Sequence, residues 1–139
     1  MYPSKRNNTK TVYFVFLFVS SLFFGCKNSE EKINFKKAQK GQELFTSVGC
    51  ATCHSLSGAK FYGPSLNKIL GTKTKVIRNH KEYTVFFDEN YIKKSIIDPD
   101  FEKPILFKSK KMPKPSLTTF EVDCLTNYLV SINKTSTKH

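Results

Sequence analysis

Residues 48–58 read VGCATCHSLSG. Two cysteines, Cys50 and Cys53, enclose two residues, and His54 follows the second directly. Three chemistries use such a pair. A redox dithiol of the thioredoxin kind wants Cys-x-x-Cys at a helix start after a strand, in a βαβ setting, and no strand pattern precedes Val48. A zinc site needs two further ligands at regular spacing, and His80, His139 and Cys124 do not supply a matching pair. Covalent haem attachment uses every part of the motif. Two thiols add across the two vinyl groups of the porphyrin, the two intervening residues give the span, and the adjacent His is placed under the iron. One haem c, held by Cys50 and Cys53 with His54 as proximal ligand, is the expectation.

An iron with one His needs a sixth ligand or keeps an open position, and the usual ligands are Met or a second His. The chain has two methionines. Met1 falls in an N-terminal leader, so Met112 is the one available to the rest of the chain. It stands in KKMPKP, where Pro113 stiffens the backbone that would hold the sulfur. A lone Met often fills a gap in a core, but Lys110, Lys111 and Lys114 around it argue against that role. His80 is the alternative ligand.

Toward the N-terminus, Lys5, Arg6 and Lys10 form a basic segment ahead of an apolar and hydroxyl run from Val12 to Phe24. That length suits a signal peptide and is short for a bilayer-spanning helix. The run ends in Leu22-Phe23-Phe24-Gly25-Cys26, which resembles the lipobox of bacterial lipoproteins, although two Phe are bulkier than usual there. Residues 1–25 are expected to be a lipoprotein signal peptide and Cys26 the lipidated residue; an uncleaved anchor is the alternative. Either places the domain on the periplasmic side of a bacterial membrane, tethered by its N-terminus. Cleavage would lower the net charge from +12 to +9. A chain that basic suits an acidic partner. Export and the absence of any helix-turn-helix, RRM or zinc-finger pattern argue against nucleic acid.

Residues 26–34 read as a polar tether. A first helix is expected from Asn34 as N-cap, with Phe35, Ala38, Leu44 and Phe45 on or near one face. Gly41 inside it costs roughly 1 kcal/mol against Ala, which suggests close helix approach. Lys75 to Phe87 reads as a small hairpin around Asn79-His80. Asp88 caps a short helix that Asp98-Pro99 ends. Phe101 to Pro115 has no helical period and reads as loop. Thr118 to Glu121 fits a capping box, followed by an apolar stripe of Val122, Leu125, Tyr128, Leu129 and Ile132. The tail NKTSTKH is polar and expected to fray, leaving a domain over 35–134 and a loose end at 135–139.

Haem attachment, Gly63-Pro64 downstream and Met112-Pro113 later resemble a class I c-type cytochrome. More closely, GQELFTSVGCATCHSL, YGPSL, the hairpin, the Met-Pro loop and LTTFEVDCLTNYL resemble the cytochrome c domain at the C-terminus of some cytochrome c oxidase subunit II proteins, over about residues 36–132. Residues 1–35 carry no copper-binding pattern, so a subunit II itself is not expected. The resemblance implies an all-α class I cytochrome c fold, with three to four short helices around one covalently bound haem. It also implies His54 and Met112 as axial ligands, the Pro64 carbonyl accepting a hydrogen bond from the His54 ring, and Gly41 and Phe45 packed across Tyr128. Cys124 then reads as a buried inert thiol, with intermolecular pairing as the alternative.

Two occupied axial positions leave no place for a substrate, and Met/His ligation raises the reduction potential. The expected function is outer-sphere electron transfer by a carrier that is not an enzyme, passing electrons to a terminal oxidase or periplasmic reductase as a monomer or a subunit of a respiratory complex. Lys108, Lys110, Lys111 and Lys114 would steer a redox partner with an acidic docking surface. The rival readings are an accessory subunit docked through FEKPILF (residues 101–107), and a peroxidase or gas sensor with an open iron.

Overall fold

The computed structural model of the chain describes residues 27–135. The basic segment, the apolar run and Cys26 lie outside them, as does the tail from residue 136. The chain divides into two units between Ile33 and Asn34, and the core and site below belong to the second.

Helix α1 spans Lys27–Ser47. Asn34 is therefore not its N-cap. The stretch before it is rich in Glu and Lys, good helix formers, yet carries no apolar stripe by which a periodic pattern would show. Phe35, expected on the inner face, is 64% exposed; Leu44 and Phe45 are buried. The reason lies at Gly41. A Cβ there would stand 2.1 Å from the Cys124 carbonyl oxygen and 2.7 Å from the Tyr128 Cβ. Only hydrogen at this position lets α1 touch α4 (Thr119–Thr135) backbone to backbone. Beyond the contact, the Phe45 and Tyr128 rings pack at 5.8 Å. Cys124 is wholly buried there, and desolvation pushes its thiol up, as expected of an inert core cysteine.

The apolar stripe of α4 is as anticipated, with Val122, Leu125, Tyr128 and Leu129 all buried. The capping box forms: Thr118 N donates to Glu121 Oε2 at 2.8 Å and Glu121 N donates to Thr118 Oγ1 at 3.3 Å. The Thr118 N–H first, and then the Thr118 hydroxyl donating to the same Oε2 at 2.8 Å, hold the Glu121 carboxyl below the usual range. A depressed carboxylate contributes stability that is complete above its unfolded value, about 4.3, and is lost as pH falls through the folded value. Acid titration of unfolding should accordingly lose part of its slope below that value in Glu121→Gln; an unaltered slope would show that the box does not form.

The hairpin is present. Strands β1 (Lys73–Arg78) and β2 (Lys81–Phe86) pair antiparallel with Arg78 opposite Lys81. Asn79 and His80 both have positive φ, 49° and 63°. That is the two-residue primed turn whose twist matches the strands, and Asn tolerates it well. A third strand, β3 (Lys103–Pro104), pairs on the other side of β1, followed by a 3-10 turn at Ile105–Phe107. The loop expected over Phe101–Pro115 is thus irregular only in part. A two-residue strand cannot display alternation, and Pro is tolerated at a sheet edge. Helix α3 (Glu89–Ile97) starts as read, with Asp88 Oδ1 accepting from Tyr91 N at 2.7 Å. It packs Ile92 and Ile96 into the core.

The tail reading needs correction at Asn133, which is 2% exposed. Its Oδ1 accepts from Ile69 N at 2.8 Å and Leu70 N at 3.3 Å, and its Nδ2 donates to Leu66 O at 2.9 Å and Leu129 O at 2.8 Å. One amide satisfies three backbone groups of the loop and one carbonyl of α4. The fold is mostly helical, with four α-helices, α2 being Cys50–Cys53, and one three-stranded sheet among the described residues.

Candidate functional site

The single turn α2, Cys50–Cys53, follows Gly49, whose φ of 87° reverses the chain after α1. His54 leaves the turn in extended conformation, its N donating to Cys50 O at 3.0 Å. Ten residues on, the chain returns: Gly63 N donates to Cys53 O at 2.9 Å. The ring of His54 then donates from Nδ1 to Pro64 O at 2.8 Å. A backbone carbonyl only accepts, so this bond fixes the tautomer and leaves Nε2 unprotonated, with its lone pair available to a ligated group. Gly63 permits it, since a Cβ there would lie 2.6 Å from His54 Cε1. Ser55 closes the loop behind, donating from Oγ to Ala59 O at 2.6 Å and accepting at its carbonyl from Leu66 N at 2.9 Å.

The loop carrying Met112 supplies another part of the wall. Tyr62 ties the two together. Lys111 N donates to Tyr62 Oη at 3.4 Å, and the Lys110 ammonium stands 4.7 Å over the Tyr62 ring. Between them is a cavity of about 560 Å³, within the size range of cofactor pockets. Cys50, Cys53, His54, Pro64 and Met112 all line it, with Phe45, Leu125 and Leu129 from the helices and Ile92 from α3.

Cys50, Cys53, His54, Pro64 and Met112 are thereby brought together on one cavity. His80 is exposed at the hairpin turn and is not among the lining residues. Lys110, Lys111 and Lys114 stand exposed at the cavity rim, whereas Lys108 is outside it. Within FEKPILF, Phe107 and Pro104 line the cavity and Leu106 is 90% exposed. Three groups at the site went unnoticed in the sequence: Tyr62, Tyr91 and Glu102.

The donor set fits a covalently held haem. Cys50 and Cys53 are free thiols, a single imidazole presents one nitrogen, and a thioether shares an apolar cavity with them. It does not fit the alternatives. Burial pushes the Cys50 thiol up, the reverse of a reactive redox cysteine. Among the described residues no group of His, Cys, Asp and Glu is arranged to hold a metal ion by itself.

Residues 38–133 match the family model for cytochrome c. An engineered cytochrome c from Rhodothermus marinus is similar in structure at 20% identity, over 71% of this chain and 79% of that one, with a TM-score of 0.48. No curated protein matches the chain. The family match spans most of the chain and includes every element of the cavity, and on it the chain belongs to the cytochrome c family, whose members bind haem c covalently and carry electrons.

Proposed function

We propose that this chain is a membrane-tethered, monohaem electron carrier of a respiratory chain, with Cys50 and Cys53 as attachment thiols and His54 and Met112 as axial ligands. The observation that carries it is the meeting of His54 and Met112 on one cavity. When bound, the haem supplies a one-electron ferrous–ferric couple, and a six-coordinate iron offers no site for a substrate.

The protein's own part is orientation and exclusion. Pro64 holds the imidazole, Tyr62 holds the Met112 loop, and Phe45, Ile92, Leu125 and Leu129 keep water away. Lys110, Lys111 and Lys114 give the rim a positive field that speeds encounter with an acidic redox partner and weakens in salt. A terminal oxidase of the kind suggested by the subunit II resemblance, or a periplasmic reductase, fits that surface. Lipidation at Cys26 would confine the search to the membrane plane. Among the described residues no helix is long and apolar enough to cross a membrane.

The test is the optical spectrum of the haem-loaded protein, oxidised and reduced, with and without carbon monoxide. A low-spin spectrum with the weak sulfur–iron band, unaltered by carbon monoxide, is expected. Met112→Ala should lose the band and bind carbon monoxide readily. A high-spin wild-type protein that binds carbon monoxide would replace the carrier with a sensor or enzyme.

A further inference from the structure

Glu102 is the one acidic side chain among the buried polar residues of the described chain, with the residue 6% and its side chain 1% exposed. Its Oε2 accepts from Arg78 Nε at 2.8 Å and pairs with Arg78 Nη2 as well. Its Oε1 is buried and receives no well-aligned hydrogen bond. Its other polar neighbour is Tyr91, whose phenol is pushed up by its own burial first and then by the Glu102 carboxylate. Around them the surroundings are aromatic: Tyr91 packs edge-on against Phe87 at 4.6 Å and against Phe101 at 5.6 Å.

Such a pair is poorly explained by stability. A buried oxygen without a well-aligned donor costs free energy, and apolar residues of similar volume often replace a buried ion pair at no loss. Its position is informative. Glu102 and Tyr91 line the cavity that also holds Cys50, Cys53 and His54, whereas Arg78 does not. Arg78 approaches from behind, from β1, with a side chain 44% exposed to solvent. The cavity therefore faces the negative member of the pair, and the positive member is partly screened by water.

The remaining charges on the cavity wall cannot cancel this. Lys103 is engaged by Asp100 at 2.9 Å. Lys110, Lys111 and Lys114 are exposed, where solvent and salt weaken their field. Glu102 alone acts from a low-dielectric interior, where a unit charge is felt several-fold more strongly than at the surface.

We propose that Glu102 sets the reduction potential of the centre held in this cavity. Its carboxylate favours the oxidised, more positive state and so lowers the potential, and Arg78 damps the effect. The redox step itself moves one electron between the centre and its partner; Glu102 makes or breaks no bond. The inference rests on the cavity assignment made above.

Spectroelectrochemical titration of the haem-loaded full chain tests it, with Glu102→Gln and Arg78→Gln beside the wild type. Glu102→Gln keeps the shape and an acceptor for Arg78 but removes the charge. Its midpoint should rise by at least about a threefold change in the oxidised-to-reduced ratio at fixed applied potential, where tenfold corresponds to about 59 mV for one electron. Arg78→Gln should shift the midpoint the opposite way, and both should keep the wild-type low-spin spectrum. Opposite shifts separate a charge effect from loosened packing, which lets water to the haem and lowers both. A Glu102→Gln midpoint equal to or below wild type overturns the inference. Should Arg78→Gln, which leaves the carboxylate unpaired, fail to fold, the Glu102→Gln shift decides alone. A wild-type chain that carries no covalent haem would overturn the cavity assignment, and this inference with it, before any potential is read.

Discussion

Gly41→Ala is expected to destabilise the protein by roughly 3 kcal/mol or more, although alanine is the better helix former. Two effects compete. Helix propensity favours Ala over Gly by about 1 kcal/mol. Against it, the new Cβ would stand 2.1 Å from the Cys124 carbonyl oxygen and 2.6 Å from its carbonyl carbon. Both are backbone atoms in the middle of α4, so no rotamer change relieves the clash and the helices must separate. Separation also parts the Phe45 and Tyr128 rings and opens the Leu44 and Leu125 contacts of the core. Small domains hold only about 5–15 kcal/mol in total, so a loss of this size is plain in a urea titration followed by circular dichroism. Gln42→Ala, one exposed position away on the same helix, should shift the midpoint by little. Equal midpoints for the two variants would mean that α1 and α4 do not meet at Gly41.

Gly63→Ala should strike the site instead of the fold. The added methyl would lie 2.6 Å from Cε1, 2.9 Å from Nδ1 and 3.1 Å from Nε2 of His54, against one face of the ring. The imidazole has to tilt away and gives up its 2.8 Å bond to Pro64 O. With that bond go both the fixed tautomer and the ring's orientation. The thiols at Cys50 and Cys53 remain, so covalent attachment should continue while low-spin coordination is largely lost, visible as a high-spin spectrum and new carbon monoxide binding. Gly58→Ala is the matched control. Its φ of +89° makes alanine strained, by roughly 1 kcal/mol, but nothing lies within 4 Å of the new Cβ. It should cost stability and leave the spectrum alone. A wild-type spectrum in Gly63→Ala would show that the ring is not held where it stands here.

The features legible in the sequence are those with short-range causes. Asp88 and Thr118 announce helix starts because the capping atoms lie within three residues of the groups they satisfy. Asn79-His80 announces a tight turn because the twist is local. The close packing at Gly41 could be inferred because a mid-helix glycine is unfavourable on its own. The residues of the cavity wall were read from chemistry at fixed spacing, with Met112 found by counting, since so few alternatives existed. What escaped had distant causes. Residues 27–33 are helical without an apolar face, so pattern had nothing to register. Strand β3 exists because β1 offers it an edge. Asn133 and Glu102 look like ordinary surface residues until the partners at Leu66, Ile69 and Arg78 are brought to them from far along the chain.

Asn133 also bears on the order in which the molecule comes together. Its bonds to Leu66, Ile69 and Leu70 join segments more than 60 residues apart, among the most expensive contacts to close in chain entropy. The turn bearing Cys50 and Cys53 needs none of them, for its own bonds reach no farther along the chain than Gly63. During synthesis the thiols emerge long before the residue that clamps the loop beyond Pro64. There is accordingly an interval in which the thiols are accessible and the loop behind the histidine is unclamped. Docking of α4 ends that interval and is the event that tightens the pocket.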